Sequence, residues 1–286
     1  MSKKVVLFLV MALLGSPAWS IDEKNGYVSI GKLVQQGLLD VKVERLHSLK
    51  NGLAVSMENK TTDSIKVWIE PGRRFIAKDS IYQDWFIADE RMITIVPLGM
   101  AEEDLLGFCC QVHDRGPAEG AKYSIGYMAP ESWIQLATLI KEGDYPRGAS
   151  QHAVWCLSDN LPSYSIYDED EKKVRPLREL VAKLKGEQVP WYMLSYQKDT
   201  TRLFSDIAER LIGKIDYYLP NSSIVTINIR SSTGEVVKVL AKESGLGPGM
   251  HTIPVDLNVK GWPKGKYEVM VYTDYATLIS KSVFKL

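Results

Sequence analysis

Apolar and polar positions alternate along much of this chain, and that alternation predicts strands. Leu53-Ala54-Val55-Ser56-Met57 alternates, Glu58 to Asp63 supplies polar turn residues, and Ile65-Lys66-Val67-Trp68-Ile69 alternates again before Pro71-Gly72. Met92 to Val96 reads as a further strand stopped by Pro97. Short strands joined by polar turns from Gly26 to Pro97 predict an N-terminal β-sandwich. The period then changes. Pro130 and Glu131 open a helix in which Trp133, Ile134, Leu136, Ala137 and Ile140 share a face, and Gly143 ends it. Ser150 reads as the cap of a second short helix reaching Leu157, and Pro176 to Lys185 reads as a third, closed by Gly186. Between them, Asp168 to Lys173 reads as a solvated charge run in an exposed connection. Gln188 to Arg210 shows no clean period. Strands return in Lys214 to Leu219, Ile224 to Arg230, Val236 to Leu240, His251 to Leu257, Tyr267 to Tyr272 and Leu278 to Phe284, separated by Gly- and Pro-bearing turns.

The expected class is therefore mainly β: an N-terminal β-sandwich with a small helical unit over 21–160, a charged or helical connector over 161–213, and an Ig-like C-terminal β-sandwich over 214–286. The segment 1–20 stands apart. Lys3 and Lys4 precede an apolar run from Val5 to Leu14, about ten residues, too short to span a bilayer and suited to a secretory signal. Ala18 and Ser20 are small residues at the two positions that a cut after Ser20 requires. The expected location is secreted or cell-surface, reached through the periplasm, with no transmembrane helix after signal removal. Asn59-Lys60-Thr61 has the form of a glycan acceptor, but the leader is bacterial in character and the triplet reads as a turn.

Charge adds little to this picture. With 35 basic and 35 acidic residues, the chain has no bulk electrostatic attraction for nucleic acid or an anionic membrane. Its 3 cysteines are too few for a disulfide-built miniprotein, and in an oxidising compartment an odd number leaves at least one thiol unpaired, modified or bonded elsewhere. The sequence carries no phosphate loop, nucleophile elbow, dinucleotide fingerprint or His-Glu-x-x-His, so no cofactor is expected.

Two stretches resemble known families. Tyr218-Leu219-Pro220, Thr233-Gly234-Glu235, Val255-Asp256-Leu257, Pro263-Lys264-Gly265-Lys266-Tyr267 and the terminal Lys281 to Lys285 run resemble FlgD-like immunoglobulin modules and the C-terminal sorting domains of type IX secretion cargo. That resemblance implies a sorting-like motif at Gly234, Asp256, Gly265, Tyr267 and Lys281, with outer-membrane secretion machinery as partner. In the centre, Gln151-His152-Ala153-Val154-Trp155 is similar to the Gln-x-Ala-x-Trp motif of bacterial thioester domains, which pair that Gln with an upstream cysteine, often after an aromatic residue; Phe108-Cys109-Cys110 offers one, at a shorter separation than those domains use. The implication is a Cys–Gln thioester from Cys109 or Cys110 to Gln151, shielded by Trp155 and open to attack by an amine on a host surface.

The cysteine region admits four arrangements. Export favours a disulfide between Cys156 and either Cys109 or Cys110, since adjacent cysteines bond to each other only under strain. The second is the thioester. A zinc site from Cys110, His113, His152 and Cys156 has ligand-like spacing. A catalytic pair of cysteine with His113 or His152 is the last. The function expected from all this is a non-enzymatic surface or secreted binding or structural protein with a C-terminal sorting or attachment domain. A covalent thioester adhesin is the alternative, and a secreted hydrolase is a third class without a supporting constellation.

Overall fold

A computed structural model describes residues 22–46, 52–199, 203–274 and 276–286, so the expected leader lies outside the described residues. The N-terminal part holds β1 (Glu23–Lys24), β2 (Tyr27–Ser29), α1 (Ile30–Gln35), β3 (Leu39–Arg45), β4 (Gly52–Asn59), β5 (Ile65–Ile69) and β6 (Arg73–Ala77). It continues through β7 (Trp85–Ile87), β8 (Arg91–Ile95), β9 (Met100–Cys109) and β10 (Lys122–Met128). The mainly β class holds, and the strands sort into two sheets. One is open, in the order β1-β2-β5-β8; the other closes on itself as β10-β3-β4-β9-β7-β6. Closure follows from β10, which pairs with β3 through Tyr123 and Val43 and with β6 through Ile125 and Phe75. A closed barrel leaves that sheet no free edge along its paired length. The alternation seen in β4 now has its reason: Leu53, Val55 and Met57 point into the barrel with Val43, Phe75, Trp85, Ile87, Leu105, Cys109 and Tyr123.

Helices cover the outside of the barrel. α2 (Glu131–Glu142) and α3 (Arg147–Ser158) are followed by a short 3-10 turn (Ser163–Ser165) and α4 (Glu171–Lys185). α3 starts after Pro146, one turn earlier than the expected cap at Ser150, which is buried instead. The charge run 168–173 faces solvent and also starts a helix. Asp170 caps α4 by accepting from Lys172 N at 3.1 Å, and Gly186 ends the helix in the left-handed region at φ 68. Val174, Leu177 and Val181 pack with Leu136, Ile140, Ala153, Val154 and the outward-facing Phe86, Phe108 and Cys110. Burial of this apolar stripe, about 1.5–3 kcal/mol per side chain, holds the helices on the barrel.

The second sandwich begins earlier than 214. Its first sheet is β11 (Tyr192–Tyr196), β12 (Ala208–Leu219) and β15 (Gly249–Asn258), in the order β11-β12-β15. The other is β13 (Ser223–Ser231), β14 (Val236–Leu246), β16 (Lys266–Thr273) and β17 (Thr277–Lys285), in the order β14-β13-β16-β17. Tyr192, Leu194, Leu211, Ile215, Val225, Ile227, Val269, Val271 and Phe284 fill the space between them. β11 supplies both cores: Tyr192 and Leu194 face this sandwich, while Met193 between them packs into the helical layer. The stretch read as a connector is therefore structural. Among the described residues no helix is long and apolar enough to cross a membrane.

Candidate functional site

The site is built where β9 outruns its neighbour. β4 begins at Gly52, opposite Leu106, so the ladder between β4 and β9 stops there. On its other side β9 continues against β7, with Ala88 N donating to Leu106 O and Cys110 N donating to Asp84 O, both at 2.9 Å. In an antiparallel strand, successive residues turn their backbone groups to opposite sides. Gly107 and Cys109 therefore present theirs to the side that β4 has left. α3 fills the gap. Arg147 Nη2 donates to Gly107 O at 2.9 Å. Gln151 Nε2 donates to Cys109 O at 2.7 Å, and Cys109 N donates to Gln151 Oε1 at 2.9 Å. Further on, Val112 N donates to Asp159 Oδ1 at 3.0 Å.

The match is geometric. Four helical residues rise about 6 Å and two strand residues about 6.6 Å, so positions four apart on α3 meet positions two apart on β9. Arg147, Gln151, Trp155 and Asp159 make one stripe of the helix. Trp155, buried, donates from Nε1 to Gln83 Oε1 at 3.4 Å, while Ala153 lies in the helical core. Gln151 and Trp155, four apart, thus share the helix face that pairs and covers, while Ala153 packs on another side of the helix. Arg147 and Asp159 belong to the same stripe, and their four-residue spacing was the signal that could have found them.

The three cysteines divide between two cores, Cys109 in one and Cys110 with Cys156 in the other. Cys109 points into the barrel and Cys110 into the helical core, because adjacent strand residues face opposite ways. Cys156 Sγ donates to Pro162 O at 3.4 Å and lies 3.6 Å from Ser165 Oγ. All three are free and buried, so the expected disulfide with Cys156 is not formed. Burial pushes the Cys109 thiol up to about 12, with the Arg147 and then the Arg45 guanidinium opposing the rise. Burial likewise raises Cys110, against Arg74, and raises Cys156 to about 12. Arg45 is fixed over the Trp85 ring at 5.9 Å, with Nη1 donating to Leu46 O at 2.7 Å and to Gly52 O at 2.8 Å. Trp85 Nε1 in turn donates to Tyr123 Oη at 3.2 Å. Beyond Cys110, Gln111 sits in the left-handed region at φ 62, and its carboxamide exchanges hydrogen bonds with Asp84 at 2.7 and 2.8 Å.

The zinc set does not assemble. His113 is exposed, whereas His152 lies among Trp155, Tyr196 and Phe204, with ring centroids at 5.3, 6.1 and 5.8 Å. Its Nδ1 is buried without a partner, and burial lowers its pKa to about 4. Among the described residues no group of three or more His, Cys, Asp or Glu is arranged to hold a metal ion. His113 and His152 also lie in different settings from one another, and neither is drawn to a thiol by a hydrogen bond among those resolved around Cys156.

The sorting-like motif maps onto strand ends and cross-strand pairs. Gly234 makes the β13–β14 turn at φ 84. Asp256 accepts two hydrogen bonds from Arg210 of β12, at 2.8 and 2.7 Å. Gly265 exchanges backbone bonds with Leu286 at 3.2 and 3.0 Å. Tyr267 is buried and donates to Pro263 O at 2.8 Å, while Lys281 pairs with Glu268 across β16 and β17 at 2.9 Å.

No family model matches this chain, and no curated protein matches it. Among solved structures, the CBM51-2 and INT domains of Clostridium perfringens ZmpB in complex with GlcNAc align at 11% identity and a TM-score of 0.18. That alignment covers 87% of this chain and 79% of the other. The same domains without GlcNAc align at 10% identity and a TM-score of 0.18, over 86% and 78%. Scores this low carry no argument about fold or ligand.

Proposed function

We propose that this is an exported, non-enzymatic binding protein of the cell surface that attaches covalently, through an internal thioester between Cys109 and Gln151. The observation that carries this reading is the pairing of the Gln151 carboxamide with the backbone of Cys109 across 42 positions of sequence, in a part-buried setting. The bond would form when Cys109 Sγ attacks Gln151 Cδ and the carboxamide nitrogen leaves as ammonia, taking up the thiol proton. An amine on an opposing surface would then take the acyl group as an amide and return the thiol. Cys109 N–H, already donating to Gln151 Oε1, is placed to stabilise the oxyanion of either step. Trp155, with Phe204 against it at 5.9 Å, supports a role in keeping water out.

Intact mass tests this. The mature protein is expected one ammonia lighter than its sequence, and methylamine is expected to add at Gln151. A mass equal to the sequence, unchanged by methylamine, overturns the covalent reading.

The C-terminal sandwich is proposed as the sorting or attachment module, with outer-membrane secretion machinery as its partner. Lys281 is an exposed member of that motif, paired at the surface with Glu268. Lys281→Ala is expected to reduce surface delivery of the folded protein; unchanged delivery counts against the sorting role.

A further inference from the structure

We infer that Arg147 is a positioning residue for this acyl transfer, holding Gln151 in line with Cys109 and serving as counter-charge for the Cys109 thiolate as it leaves. The inference rests on the covalent reading above and adds a residue that the motif does not contain.

The chemistry sets the need. When an amine attacks the Gln151 acyl carbon, the tetrahedral intermediate collapses by breaking the carbon–sulfur bond. The electron pair goes to sulfur, and the proton shed by the amine ends on the thiol, so thioester plus amine gives amide plus thiol. The sulfur departs inside the barrel, in the apolar core that also holds Trp85, Tyr123 and Leu105, where water does not solvate a growing negative charge. A fixed cation nearby lowers that barrier.

Two guanidinium groups stand near Cys109: Arg147 through its bond to the Gly107 carbonyl, and Arg45 over Trp85, the residue opposite Cys109 in the ladder. Arg45 is committed to the Leu46 and Gly52 carbonyls and to the Trp85 ring. Arg147 is tied to the strand edge itself. It donates to Gly107 O at 2.9 Å, two residues before Cys109, and its guanidinium lies over the Phe108 ring at 5.0 Å. It stands one helical turn ahead of Gln151 on the same face, so the bond to Gly107 sets the register in which Gln151 meets Cys109. Asp104 is the acidic group that acts on Arg147, and its own Oδ1 is buried without a hydrogen-bond partner.

The experiment compares mature wild type with Arg147→Lys, Arg147→Gln and Arg147→Met, reading intact mass and the rate of methylamine uptake. Circular dichroism confirms that each variant is folded; the Met variant keeps an apolar stem on Phe108. Wild type and Arg147→Lys are expected one ammonia light and to open at comparable rates. The charge-free variants are expected to open about tenfold more slowly, the equivalent of one pKa unit in the leaving thiol. Lysine lacks the planar fork and the ring stacking of arginine, so recovery by lysine separates charge from packing. A folded charge-free variant that opens at the wild-type rate overturns the inference and leaves the covalent reading standing, as does a lysine variant as slow as glutamine. A wild-type mass equal to the sequence removes the covalent reading and this inference together.

Discussion

His152 shows what a single side chain reports about its surroundings. It sits one residue from Gln151, yet it turns away from β9 into Trp155, Tyr196 and Phe204. A charged imidazole has no partner there. Its folded pKa, about 4, lies below the free value of 6.5, so the neutral ring contributes stability that is fully present above pH 6.5. That contribution is lost as pH falls from 6.5 toward 4, because the unfolded chain binds the proton first. The size is about 1–3 kcal/mol. Urea unfolding measured over this range is expected to show falling stability in wild type and a flatter profile in His152→Phe. Equal slopes in the two proteins would count against it. Gly52 is a second position where one atom matters. It adopts φ 82, and a Cβ there would lie 2.0 Å from Arg45 Nη1, so glycine both turns the chain and lets Arg45 reach the barrel mouth.

At the scale of elements, α4 carries a proline inside its body. Pro176 has no N–H to offer the Lys172 carbonyl one turn back, which would be costly in a buried segment. Both residues are on the exposed face, where water replaces the missing donor, while Val174, Leu177 and Val181 face the core. Pro176→Ala is expected to restore that bond and raise stability by about 1 kcal/mol in chemical denaturation. A loss of stability would mean that the proline contributes more through the unfolded chain than it costs in the helix. α3 is the element whose placement matters most for chemistry. Its periodicity was legible, but a helix that caps the unpaired end of a barrel strand cannot be read from its own residues. The partner groups are backbone atoms of Gly107, Cys109 and Val112, which any residue type could supply.

At the scale of the whole molecule, the three apolar cores are joined. β11 divides its side chains between two of them, and Ile212 of β12 also packs against the helical layer. Arg178 of α4 donates to Tyr192 O at 2.8 Å, and Trp191 Nε1 donates to Val283 O at 2.8 Å. These ties make a cut at 214 a cut through β12, not between domains. Calorimetry is expected to show one unfolding transition, lowered as a unit by Met193→Ala at a cost of about 2–4 kcal/mol. Two transitions, only one of them shifted, would show that the cores unfold separately.

The sequence by itself determined the mainly β class and the positions of most strands, because side-chain period reflects local backbone geometry and the need to bury one face. It also marked the helix of Gln151 to Trp155 and the turns at Gly186 and Gly234, where local chemistry is sufficient. Only the tertiary structure decided that the N-terminal strands close into a barrel, that 161–213 contributes to the cores, and that Cys109 faces one core while Cys110 and Cys156 face another. It alone placed Arg147 beside Cys109. These depend on register between strands far apart in the chain, where a shift of one residue would turn each side chain to the other face.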